Sequence, residues 1–363
     1  MEIKTALVRE QGAGIEIVSA RLDEPKHSEV LVRIAATGIC HTDLAGRDGG
    51  VSPYPLALGH EGAGIVEKVG SGVTSVSPGD HVVIGFSSCG HCHNCQDGHP
   101  GMCFEFNRLN FGGKFKDGTC RIHTDDGWEV SSFFGQSSLS TYAVTDERNV
   151  VKVDKEVDIR LLGPLGCGMM TGAGTVLNFL KPKFGESIAV FGTGGVGLAA
   201  VMAAKIIGMK HIVAVDIFDN RLALAEELGA TATVNSKNSD VPKAVKALCP
   251  NGIDYAVDTT GVAPVFKTAL ASLKFGGKLA AVGIGGDVTL NIMQDILAEA
   301  KTVSGVVEGD SVPQIFIPQL VDYYKKGLFP FDKLIKFYDY ADINQAIADS
   351  LSGEVIKPVV VMP

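Results

Sequence analysis

The sequence predicts an α/β protein in two parts, a β-rich first half followed by a doubly wound parallel sheet. Three observations carry that prediction. A chain of 363 residues is long enough for about two domains. The first 150 residues read as short strands broken by turns, and from about Gly185 apolar strands alternate with amphipathic helices. With 45% hydrophobic and 20% charged residues and a mean hydropathy of +0.20, the composition is that of a packed globular protein.

In the first half, residues 4–9, 14–18, 29–34, 64–69 and 81–84 are β-branched or alternating and are expected as strands. In the second half, strands are expected at 188–191, 212–215, 233–234, 255–257, 279–282 and 303–306, with helices at 196–207, 221–228, 241–248 and 264–273. Six strands with crossover helices make a doubly wound sheet. After about Gly309 the alternation stops. The remaining 54 residues hold two amphipathic stretches, 318–326 and 343–351, and a last strand at 359–362, and they are assigned back to the first part. The expected domains are therefore residues 1–170 with 308–363, and residues 171–307.

A net charge of −9 and a pI near 5.5 argue against nucleic acid, whose phosphates need a basic surface, and favour small-molecule chemistry. Residues 1–10 lack the apolar core of a signal peptide, and the longest apolar stretch, 188–204, is interrupted by glycine. The expected location is cytoplasmic, with no membrane partner. In a reducing compartment the eight cysteines read as metal ligands or reactive thiols rather than disulfides.

The strand at 188–191 runs into Gly192, Thr193, Gly194, Gly195, Val196 and Gly197, a GxGGxG run that opens a helix. Glycine is needed there for the tight turn, for backbone to meet a pyrophosphate and for helix to pack on strand, and the phosphates sit on unpaired helix amides. Asp216 ends the next strand, 24 residues after Gly192, where a carboxylate accepts from ribose hydroxyls. Its charge would repel a 2′-phosphate, so the expected dinucleotide is NAD rather than NADP.

Cys89, Cys92, Cys95 and Cys103 form a C-x2-C-x2-C-x7-C loop able to wrap four thiolates around one tetrahedral ion, the composition of a structural zinc site. The loop has too few apolar residues to order itself, so metal binding is expected to supply its order. Cys40, His60 and Cys167 are scattered, each in a glycine-rich setting, and each is weak alone. Together two thiolates and one imidazole leave a fourth coordination position open, as a catalytic zinc requires.

With these motifs in this order, and with Gly59-His60-Glu61 followed by Gly64, Gly70 and Val73, the chain resembles the zinc-containing medium-chain alcohol dehydrogenases over essentially its whole length. Met1-Glu2-Ile3-Lys4, Cys40-His41-Thr42-Asp43 and Asn110-Phe111-Gly112-Gly113 look similar to the aryl or benzyl alcohol dehydrogenases within that family. The resemblance implies a GroES-like catalytic domain joined to a Rossmann domain, two zinc ions per subunit and NAD. It implies oxidation of a small-molecule primary alcohol, aryl or allylic, to its aldehyde, and the reverse. It makes Asp43 and Glu61 partners of the catalytic zinc or its ligands, and Thr42 the hydroxyl that receives the alcohol proton. Relatives carry a relay histidine where this chain has Ala45. His41, Thr171, Arg221 and Lys357 are implied as cofactor contacts, and Phe86, Phe133 and Phe134 as the alcohol pocket. Kept beside this are a polyol or glutathione-dependent formaldehyde dehydrogenase on the same scaffold, and a non-catalytic nucleotide-binding protein. The strand at 303–306 is expected at a sheet edge, which invites pairing into a homodimer or homotetramer.

Overall fold

The computed structural model describes residues 1–363 as two compact units. One comprises residues 1–167, 312–325 and 331–363, and the other residues 168–311 and 326–330. The short stretches 168–170, 308–311 and 326–330 therefore pack with the second unit rather than the first.

The first unit is β-rich. Strands Glu2–Val8, Glu16–Leu22, Leu56–Ala57, Ile122–Thr124 and Glu129–Ser132 close a small barrel. A seven-stranded sheet joins the long strand Glu29–Gly38 to Gly62–Val69, His81–Ile84, Tyr142–Asp146, Val150–Lys152, Ile335–Asp339 and Lys357–Val361. The last strand pairs antiparallel with the first part of the chain, Val360 opposite Thr37, which is why the C-terminal tail belongs to this unit. Ile3, Leu7, Leu22, Leu31, Ile122 and Val130 fill one core of this unit, the inward half of each alternating pattern.

The second unit is a six-stranded parallel sheet of strands Ser187–Phe191, His211–Asp216, Ala232–Asn235, Ile253–Asp258, Leu273–Ala281 and Thr302–Gly305. Numbered along this sheet their spatial order is 3-2-1-4-5-6, the doubly wound order of dinucleotide-binding folds. Val190, Val213, Val215, Ala256 and Leu279 are almost wholly buried, as strands covered on both faces must be. All six expected strands are present, and Thr302–Gly305 lies at the edge.

Two elements differ from the sequence reading. The helix expected at 318–326 spans Pro313–Lys325 with Pro318 inside it, because Phe316, Ile317, Leu320 and Val321 bury an apolar stripe that continues through the proline. The strand expected at 279–282 begins at Leu273 and passes through Gly276, at φ +71, where its pairing register with Ile253–Asp258 shifts. No helix is long and apolar enough to cross a membrane.

Candidate functional site

Cys40 lies between the long strand Glu29–Gly38 and helix His41–Asp48, His60 and Glu61 immediately precede strand Gly62–Val69, and Cys167 follows a short 3-10 turn, Gly163–Gly166. The fold brings their ligand atoms within 4.8 Å of one another. Cys167, His60 and Glu61 are buried and Cys40 is half-buried.

Asp43 organises this cluster from the third position of the helix. One of its oxygens accepts from the Cys40 backbone amide (3.0 Å), and the other from the Gly59 amide (3.0 Å) and from His60 Nδ1 (3.0 Å). Nδ1 then carries a proton, and in the neutral imidazole Nε2 is the lone-pair donor. His60 Nε2 is buried and has no hydrogen-bond partner. A buried imidazole nitrogen left unpaired next to two sulfurs is costly unless a cation sits there, and two thiols with one imidazole are the donor set that suits zinc. The residues therefore fit the metal. The Cys40 thiol is held well below its ordinary range by its hydrogen bond with Cys167 and, against the cost of burial, by the charge of Lys357.

Lys357 sits differently from the cofactor contact that the resemblance implies. It is buried, and its ammonium donates to both carboxylate oxygens of Glu61 (2.9 and 3.0 Å) and to the Ile39 carbonyl (3.3 Å). A lysine has three donors, so all are engaged within the unit. Burial alone would lower its pKa; Glu61 and the Cys40 sulfur outweigh that and hold it charged. Gly38 makes room for this pair, since a Cβ there would fall 2.0 Å from Glu61 Oε2.

Aromatic rings cover one side of the cluster. Phe134 stacks on the His60 ring at 4.7 Å between centroids, and Phe133 meets it edge-on at 5.5 Å. Phe111 packs edge-on against Phe134 (5.1 Å), and Phe86 reaches the group through its contact with Phe106 (5.7 Å). Sequence reasoning missed Phe106 and Phe111; their signal was the aromatic-rich helix Phe106–Phe111. It also missed Gln136, buried behind His60, whose amide donates to the carbonyls of His60 (3.1 Å) and Gly85 (3.2 Å) and accepts from Gly62 N (3.3 Å). Nothing in the sequence marks a lone glutamine as such a tie. Thr42 Oγ1 lies 3.7 Å from Cys40 Sγ, and His41 is exposed at the start of the helix.

Cys89, Cys92, Cys95 and Cys103 also converge within 4.8 Å, with Cys89 and Cys95 sulfurs 3.9 Å apart. Backbone amides of Cys95 and Phe104 bring the Cys92 thiol down to about 6, while burial pushes Cys95 up to about 12. Four crowded sulfurs cannot all ionise without a cation between them, so this cluster also fits zinc.

In the second unit, the glycine run opens helix Gly195–Ile207. A Cβ on Gly197 would fall 1.9 Å from the Gly192 carbonyl, so helix and turn touch there, whereas a Cβ on Gly194 would meet nothing within 4 Å. Open space over Gly194, beside helix amides that lack intrahelical partners, is the cradle a pyrophosphate fills. Asp216 is buried, and its carboxylate accepts from Thr193 N (2.6 Å), Thr193 Oγ1 (2.8 Å) and the amides of Ile217 (2.7 Å) and Phe218 (3.1 Å), bracing the glycine turn. The Arg221 guanidinium lies over the Phe218 ring at 4.9 Å, and Thr171 is buried in helix Gly168–Gly174.

Residues 26–155 match the alcohol dehydrogenase GroES-like domain, and residues 195–324 match the zinc-binding dehydrogenase domain. Over 99% of its length the chain is 44% identical to a geraniol dehydrogenase of Castellaniella defragrans, covering 97% of that protein. It is 34% identical to an S-(hydroxymethyl)glutathione dehydrogenase of Paracoccus denitrificans, over 99% of this chain and all of the relative. The structure superposes on a benzyl alcohol dehydrogenase of Acinetobacter calcoaceticus with a TM-score of 0.95 and 43% identity, covering 100% of both chains.

Proposed function

Because this chain belongs to the zinc-containing alcohol dehydrogenase family, an NAD-dependent group of oxidoreductases, we propose that it interconverts small aryl or allylic primary alcohols and their aldehydes. The observation that carries this reading is His60: its Nε2 is unpaired among Cys40, Cys167 and Glu61, with one phenyl ring stacked on its imidazole and a second meeting it edge-on. Geraniol is an allylic alcohol and benzyl alcohol an aryl one, so the names of the similar proteins agree with that aromatic wall. A polyol would require polar partners for several hydroxyls, and Phe86, Phe106, Phe111, Phe133 and Phe134 offer none.

When bound, zinc supplies Lewis acidity that acidifies an alcohol hydroxyl towards neutral pH, and the nicotinamide accepts hydride. Cys40, His60 and Cys167 hold the metal, Asp43 fixes the imidazole tautomer, and Lys357 tethers Glu61 beside the cluster. The Thr42 hydroxyl, next to Cys40, takes the alcohol proton; Ala45 offers no side-chain relay beyond it. The phenyl rings keep water from the reacting carbon and orient a flat substrate. Cys89, Cys92, Cys95 and Cys103 hold the second zinc as a folding element. In the other unit the glycine run takes the pyrophosphate of NAD, and Asp216 accepts from a ribose hydroxyl while bracing the turn. The exposed sheet edge at Thr302–Gly305 favours pairing of two subunits, and ultracentrifugation should give a species larger than a monomer.

Steady-state rates with NAD and a panel of benzyl alcohol, geraniol, sorbitol and S-hydroxymethylglutathione test the reading. The expected order places benzyl alcohol and geraniol first, with loss of turnover on chelation. A preference for sorbitol or the glutathione adduct, or turnover indifferent to zinc removal, would overturn it.

A further inference from the structure

Three consecutive residues that follow the edge strand Thr302–Gly305 are left-handed: Glu308 at φ +50, Gly309 at φ +63 and Asp310 at φ +49. Only the middle one is a glycine. L side chains visit this region at a cost, and such residues persist where the surroundings over-determine them, which happens most at binding sites. The turn stands at the carboxyl end of a parallel sheet, tied in by Val306 N to the Ala281 carbonyl at 3.0 Å. In doubly wound sheets ligands bind outside that end.

The turn is seated on helix Gly168–Gly174 by direct backbone contact. A Cβ on Gly309 would fall 2.6 Å from the Met170 carbonyl and 2.8 Å from Gly174 Cα, and a Cβ on Gly174 would fall 2.5 Å from the Gly309 carbonyl. Asn178 adds a hydrogen bond to Ser311 Oγ at 3.0 Å. Within this seat the Glu308 side chain is only 7% exposed, and Thr171 Oγ1 donates to its carboxylate at 3.3 Å. A turn needed only to reverse the chain would be cheaper with glycine at 308, and a buried carboxylate is an expensive filler. The combination, strained backbone and a buried acid that accepts from a threonine hydroxyl at the ligand edge of the sheet, indicates that the side chain is kept for what it holds.

We propose that Glu308 is a positioning residue for the cofactor: held in the left-handed turn, its carboxylate fixes the Thr171 hydroxyl and the first helix of this unit in the arrangement that receives NAD. This rests on the NAD-binding reading above, and the experiment separates the two.

Binding of NAD and NADH is measured by intrinsic fluorescence and calorimetry, alongside thermal melting, for the zinc-loaded wild type, Glu308→Gly, Glu308→Gln, Thr171→Val and the double variant Glu308→Gly with Thr171→Val. Glycine takes φ +50 without strain, so Glu308→Gly is expected to melt no lower than wild type and yet to bind NAD about tenfold more weakly, the effect of one lost hydrogen bond. Glu308→Gln, whose amide oxygen still accepts from Thr171, should stay within about threefold of wild type. The double variant should be no weaker than Glu308→Gly alone, since both changes remove one interaction. Wild-type affinity in Glu308→Gly, or losses in the two single variants that multiply in the double, would overturn the assignment. A wild type that binds neither NAD nor NADH would instead overturn the cofactor reading on which it stands.

Discussion

Cys89, Cys92, Cys95 and Cys103 lie in a single loop, whereas Cys40, His60, Glu61 and Cys167 come from separate places in the chain and meet only when the first unit has folded. The loop is held by short-range bonds within itself, among them His99 N to the Asn94 carbonyl (2.8 Å) and the Asn94 amide to the Met102 carbonyl (2.7 Å), and the amides of Cys89, Cys92 and Glu105 donate to its sulfurs at 3.3, 3.3 and 3.4 Å. The dispersed cluster is braced from outside by Asp43, Lys357, Gln136 and the packed phenyl rings. An ion in the loop therefore supplies order, while an ion in the dispersed cluster enters a site already ordered by the fold. Loss of the first should appear as instability and loss of the second as inactivity.

Removing a ligand of the dispersed cluster gives the largest expected effect. Cys167→Ala should lower turnover with benzyl alcohol at least about a thousandfold, roughly 4 kcal/mol of transition-state stabilisation. Bound zinc should fall from two ions to one per chain, with little change in melting temperature. Full turnover in this variant would remove the catalytic role given to the cluster. In the loop, Cys95→Ser should do the reverse, lowering stability by about 4 kcal/mol through loss of the metal while each remaining folded molecule keeps most of its turnover. Equal damage to both properties in both variants would erase the contrast between the two sites.

Lys357 sharpens the comparison, because its three donors go to Glu61 and the Ile39 carbonyl. Replacing it with Met leaves a buried carboxylate without its counter-charge, so Lys357→Met should cost about 3 kcal/mol in denaturant unfolding and weaken zinc retention. A variant of unchanged stability whose KM for NAD rises would return Lys357 to the cofactor-contacting role that the family resemblance implies.

The parts legible in the sequence are those fixed by local pattern. Runs such as Ile188–Phe191 and the glycine loop behind them declare a strand and a nucleotide turn, because period and glycine content are set over a few residues. The four-cysteine loop is legible for the same reason. The cluster of Cys40, His60 and Cys167 was found through ordered motifs, not through spacing. Its supports were found incompletely, since the Lys357–Glu61 pair and the Gln136 tie depend on strand pairing between distant segments, Val360 opposite Thr37 among them. Pro318 misled because a proline marks a helix start more often than a helix interior, and the apolar stripe beneath it overrode that preference. Left-handed Phe134 and Glu308 carry no sequence signal, since neither residue type favours that backbone.

The smallest expected effect concerns how much of the order of the dispersed site comes from one side chain. Asp43 accepts from His60 Nδ1, Gly59 N and Cys40 N, so it fixes the imidazole and both flanking backbone segments at once. Asp43→Asn keeps the shape and one acceptor oxygen, but its amide nitrogen must face a backbone N–H, donor against donor. Zinc affinity of the dispersed site should fall about 10- to 100-fold in competition with a chelator, as it does when the partner of a ligating histidine is changed. The loop zinc should be unaffected in the same titration. If both ions loosened together, the two sites would share a common stability, and the separation drawn between a folding ion and an ion that enters a finished site would fail.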